Sequence, residues 1–128
     1  MSNSNQNQGS EQHLIVLILR DQDLLEEVLS AWESAGASGS TVLDCIGRTQ
    51  LREALNMDDV PMFPNLSDIM RSESVGQKLI FTIVSGELRV RQIIESSREI
   101  LQNGNSHKGL LFTLPVGIAF GLGRTLTP

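Results

Sequence analysis

The chain has 128 residues, a formal net charge of −5, one cysteine, and one Trp and four Phe with no Tyr. That length suits one domain, and a 40% apolar share supports a packed core and excludes disorder throughout. A lone cysteine excludes an intrachain disulfide framework, and the acidic balance argues against general nucleic-acid binding, which needs a basic face.

The first stretch, Met1 to Gln12, is polar and has no apolar segment of the signal-peptide kind, so it reads as a disordered tail. No apolar run approaches the roughly 20 residues of a membrane span, so direct membrane insertion is not expected and the default location is the cytoplasm. The domain proper is expected over residues 13–120, with 121–128 as a flexible tail.

Leu14-Ile15-Val16-Leu17-Ile18-Leu19 predicts a first strand that is apolar on both faces. A helix should follow, capped by Asp21 or Asp23, with Leu24, Leu25, Val28, Leu29 and Trp32 at helical spacing as its buried stripe. Gly36 and Gly39 end it, and its outer face is acidic, which reads as a solvated face. Thr41-Val42-Leu43-Asp44-Cys45-Ile46 predicts a second strand, with Cys45 as a small buried apolar residue.

Residues 47–77 form a long connection where a hairpin of this kind needs only about two to five residues. Leu51 to Leu55 predicts one or two helical turns there. Met57, Met62, Phe63, Ile69 and Met70 suit either a satellite core or a pliable docking surface. A second strand–helix–strand unit then echoes the first. Leu79 to Val84 is its first strand. Its helix begins near Ser85-Gly86-Glu87 and buries Val90, Ile93, Ile94, Ser97 and Leu101, and Asn103-Gly104-Asn105 ends it. Leu110 to Val116 is the last strand.

Two such units give an α+β fold, the ferredoxin-like βαββαβ, with an antiparallel sheet in strand order 4-1-3-2 and both helices on one face. Strands one and three should be central. Pro115 and Asp44 belong at the edges. Two helices cover one face only, so the other face of the apolar central strands needs a cover. Another copy of the chain can supply it, and so can the long connection.

The element order, the long loop after strand two and the closing Lys108-Gly109-Leu110-Leu111-Phe112-Thr113-Leu114-Pro115-Val116 resemble the PII-type nitrogen regulatory signalling proteins. Gly39-Ser40-Thr41-Val42 is similar to the family's opening of strand two. Gly47-Arg48-Thr49-Gln50 falls where the family enters its T-loop. The resemblance covers residues 13 to 118 and implies a homotrimer whose sheets line the interior. It implies an adenine nucleotide as ligand between subunits, with no other cofactor required. The loop would then act on a regulated partner, a transporter or an enzyme.

Carried over by the resemblance, Thr41, Gly47, Gly104 and Gly109 are the implied ligand contacts. Arg48 and Lys108 are added on charge, because phosphate needs cations or converging N–H groups. The family's lysine before the strand-four Phe is Leu110 here, and its two late arginines fall on Gly121 and Gly123. With no Tyr in the chain, uridylylation of a loop tyrosine is excluded. His107, in the loop before strand four, is either exposed or near a ligand phosphate. Neither a nucleophile–base pair nor a carboxylate pair stands out, and an enzyme is not expected. A CutA-like metal-tolerance protein or a structural module on the same scaffold is the alternative.

Overall fold

A computed structural model describes residues 11–55, 76–102 and 108–122. In chain order the elements are β1 (Gln12–Leu19), a 3-10 turn (Gln22–Leu24), α1 (Leu25–Ser34), β2 (Thr41–Ile46), α2 (Arg48–Leu55), β3 (Gly76–Ser85), α3 (Glu87–Leu101) and β4 (Gly109–Val116). The sheet is antiparallel and four-stranded in the order β2-β3-β1-β4. That is the expected order, with the two apolar runs in the centre and the strands carrying Asp44 and Pro115 at the edges. An edge tolerates a proline because its missing N–H is not needed by a second neighbour.

The alternation of side chains across the sheet separates two environments. On one face Ile15, Leu17, Leu19, Ile80 and Val84 pack against Val28 and Trp32 of α1 and Val90, Ile93 and Ile100 of α3. Trp32 is wholly buried, and its indole N–H donates to Ser97 Oγ at 2.7 Å. The Ser97 hydroxyl in turn donates to the Ile93 carbonyl at 2.7 Å, so a hydroxyl inside an apolar core has both roles filled. The opposite face carries Leu14, Val16, Ile18, Leu43, Leu79, Phe81, Ile83, Leu110, Phe112 and Leu114. Phe112 and Leu114 stand 40% and 48% exposed there.

Several boundaries differ from the sequence reading. Asp21 is the cap: its carboxylate accepts from the Asp23 amide at 3.1 Å, and the first turn is 3-10 before the α-helix begins at Leu25. Helix α2 begins at Arg48, with the Leu51 amide donating to the Gly47 carbonyl at 2.9 Å. Strand β3 begins at Gly76, so the connection does not run to residue 77. The polar Gly76-Gln77-Lys78 reads as loop, but pairing with β2 recruits it: Ile46 lies opposite Gly76 and Asp44 opposite Lys78, with which it forms an ion pair. In α3, Ile100 is buried, while Ile94 and Leu101 are only partly covered. The tail reading for Met1 to Gln12 overlaps β1 at Gln12; residues 1–10 and 123–128 lie outside the described residues. So do the loop methionines, Phe63 and Ile69.

Candidate functional site

Strand registers place the candidate residues. Leu19 lies opposite Gly109 on one side and Lys78 on the other, and Ile46 lies opposite Gly76. The end of β2 and the start of β4 therefore meet the same end of the sheet. Gly47 and Arg48 sit at the β2 edge; Lys108 and Gly109 sit at the β4 edge. Two strands lie between them, so the two halves are roughly 14 Å apart at an inter-strand spacing near 4.8 Å. Thr41 is further removed. It pairs with Phe81 in mid-sheet, roughly 17 Å along β2 from the Gly47 end. Gly104 and His107 lie outside the described residues. Within one chain, the fold does not gather the candidates into a single cleft.

Each half has its own local order. At the β4 edge, the Lys108 carbonyl accepts from the Arg20 amide at 2.8 Å and the Asp21 amide at 3.4 Å, which ties the entry of β4 to the exit of β1. This brings Arg20 beside Lys108 as a second cation. Gly109 is needed there by packing: a Cβ would stand 3.0 Å from the Ile18 carbonyl and 3.1 Å from Leu17 Cδ1. A Gly109→Ala variant should therefore lose about 1–3 kcal/mol of stability as the neighbours shift. Urea unfolding at fixed protein concentration checks this, and a variant as stable as the parent would refute it.

At the β2 edge, Gln50 reaches over Gly47, where its Oε1 takes the space that a Cβ would need, and Gln77 lies beneath. Gln77 is 7% exposed. Gln22 donates its amide to the Gly76 carbonyl and pins the root of the connection. Nothing in the sequence marks Gln22, Gln77 or Arg20. Each is an isolated polar residue at an element boundary, and only strand pairing brings it to this end of the sheet.

Cys45 is only half-buried on edge strand β2, where the sequence predicts a small buried apolar residue. Burial, and secondarily the Asp44 carboxylate, push its thiol pKa up, against a smaller opposing effect of Lys78. It is a protonated thiol at neutral pH and a poor nucleophile. Among the described residues, no group of three or more His, Cys, Asp or Glu could hold a metal ion. A groove of about 580 Å³ opens on the helix-bearing side between α3 and β4, lined by His13, Val90, Arg91, Ile94, Arg98 and Thr113 among others. Its rim is self-paired: Arg91 holds Glu87 at 2.8 Å, and that hydrogen bond and charge lower the Glu87 pKa.

Solved structures share this architecture. The Arabidopsis thaliana PII protein bound to citrate superposes with a TM-score of 0.55 at 20% identity, over 84% of this chain and 78% of that one. The chain has a PII-like fold. GlnK of B. subtilis matches with a TM-score of 0.54 at 15% identity, over 84% of this chain and 86% of that one. The B. subtilis GlnK–ATP complex matches at 0.53 and 15%, over 83% and 84%. No family model and no curated protein matches the chain. Among the described residues, no helix is long and apolar enough to cross a membrane.

Proposed function

We propose that the chain is a PII-like signalling protein, a homotrimer that takes a small ligand between copies and acts on a partner protein through the connection after β2. One observation carries this reading: Gly47 and Arg48 on one edge of the sheet and Lys108 and Gly109 on the other stand at the same end. A rotation axis running along the strands places β4 of one copy beside β2 of the next. The two strands then run antiparallel with matching ends, and Lys108 and Arg20 of one copy face Gly47 and Arg48 of the next. The same operation turns the open apolar faces inward, which accounts for a sheet with cladding on one side only.

An adenine nucleotide is the ligand class best supported. Arg20, Arg48 and Lys108 supply cations to a cleft whose floor is the helix-start backbone at Gly47. One solved structure with this fold, GlnK of B. subtilis, holds ATP. Ligand binding would bias the conformation of the connection rooted at Gly47 and Gly76, and the partner, a transporter or an enzyme, would read that conformation.

Calorimetric titration with ATP, ADP, AMP and cyclic nucleotides tests the ligand. Binding by at least one is expected, and Arg48→Ala and Lys108→Ala should each weaken it about tenfold, the worth of one charge-assisted contact. Heat from none of the nucleotides would overturn the nucleotide assignment. Light scattering tests the assembly separately, with a mass three times the 14.0 kDa of the chain as the expected result.

A further inference from the structure

Strand β1 ends at Leu19, which lies opposite Lys78 on one side and Gly109 on the other. The turn that follows ties both neighbouring strands beyond that end. On the β4 side, the Lys108 carbonyl accepts from two backbone amides, Arg20 at 2.8 Å and Asp21 at 3.4 Å. On the β3 side the bond comes from a side chain: the Gln22 amide donates to the Gly76 carbonyl.

Gly76 and Gln77 depend on that bond. They lie past the end of β1, so among the described residues they pair only with edge strand β2, Gly76 with Ile46 and Gln77 with Cys45. Neither has an apolar side chain, so burial of apolar surface gives this end of β3 little hold. Gly76 is nonetheless buried, and a buried carbonyl left without a donor is costly. Lys78 is the first β3 residue flanked by strands on both sides, and it pairs with Asp44. Gln77 also lies beneath Gly47, its Nε2 3.4 Å from the place of a Cβ there. The stretch that Gln22 secures therefore begins β3 and underlies the start of α2.

We propose that Gln22 is a latch that sets where the connection between α2 and β3 leaves the sheet. Latched, β3 begins at Gly76. Released, Gly76 and Gln77 come away from β2, Cys45 and Ile46 lose their partners, and opening stops at Lys78. The connection then gains two residues, roughly 7 Å of reach, and Gly47 loses the support of Gln77. A single side-chain hydrogen bond suits this task, because it holds the closed state and still opens locally without unfolding the sheet. Gln22 is thus a positioning residue, acting through Gly76 and Gln77. Its bearing on signalling rests on the proposed function, in which a partner reads the connection; the latch itself does not.

Residue-resolved hydrogen exchange in the nucleotide-free protein tests the latch. Gln22→Met keeps the length of the side chain and loses the donor; Gln22→Glu sets a carboxylate against the carbonyl. Each should speed exchange within residues 76–78 and 45–47 by about 10–100-fold, the effect of one buried carbonyl left without a donor. Ile80 and Phe81 should keep wild-type rates, because β1 and β2 flank them. Residues 110–112 should keep them too, because the Lys108 carbonyl takes its bonds from backbone amides that neither variant alters. Wild-type exchange at 76–78 in both variants overturns the latch. So does acceleration that spreads equally to Ile80, Phe81 and 110–112, which makes Gln22 a general prop of the fold. With no nucleotide in the experiment, a chain that binds none overturns the proposed ligand and leaves the latch standing.

Discussion

Replacing Phe112 with Asp should convert the assembly to a folded single chain. Phe112 lies opposite Val16 on the open face, and its neighbours along β4 on that face, Leu110 and Leu114, are 50% and 48% exposed. In the proposed ring all three become interior. A carboxylate there has no cation partner on the same face among the described strand residues, so assembly must strip its water with nothing in return. Such an unpaired buried charge costs several kcal/mol, enough to raise the dissociation constant by about 1,000-fold or more. The helix-bearing face does not include Phe112, so the secondary structure should survive. Light scattering across a dilution series reads the result, and circular dichroism confirms the fold. Leu110→Lys at the strand's start provides a second, chemically opposite probe of the same face. If both variants keep the wild-type mass, this face is not the interface. A wild-type mass of 14.0 kDa would instead favour the long connection as the cover.

The second large effect concerns Trp32. Truncation to Ala removes the largest fully buried side chain in the core and should cost about 3–5 kcal/mol, or more if the site cannot collapse. Against a typical total of roughly 5–15 kcal/mol, that is a sizeable share, and the melting temperature should fall by about 10–20 °C. Shape and hydrogen bonding can be separated. Trp32→Phe keeps most of the volume but removes the indole N–H; Ser97 Oγ still donates to the Ile93 carbonyl, so about 1–2 kcal/mol should be lost. Ser97→Ala leaves the indole N–H unpartnered in an apolar core, a loss of about 1–3 kcal/mol. The double variant Trp32→Phe/Ser97→Ala should lose less than the sum, because both changes delete the same bond. Chemical unfolding at one fixed protein concentration is required, since the proposed self-association would add its own concentration-dependent stability. Strict additivity would show that the 2.7 Å contact contributes nothing.

The two assays address different levels of the structure. Trp32 and Ser97 hold α1 against α3 and should govern whether a protomer folds. Phe112 should govern only whether protomers meet. A ligand cleft divided between two copies requires both, so Phe112→Asp should also abolish nucleotide binding while leaving Arg48 and Lys108 in place on each folded chain.

Much of this organisation was legible in the residues themselves. The unbroken apolar run of Leu14 to Leu19 and the Leu79 to Val84 run marked the central strands, because only a strand flanked on both sides has two faces to hide. Pro115 and Asp44 marked the edges for the converse reason. Helical spacing found Val28, Trp32, Val90, Ile93 and Ser97. Polar residues recruited by pairing were not legible: Gly76 and Gln77 look like loop until β2 lies beside them, and Gln22 and Arg20 carry no local pattern. Register, likewise, is a property of two strands at once. It alone separates Gly47 and Arg48 from Lys108 and Gly109 by the width of the sheet, and it alone sets Thr41 opposite Phe81. Periodicity along one chain reports which side of an element is buried. Which residues share an edge depends on contacts between segments far apart in sequence, and those exist only once the sheet has formed.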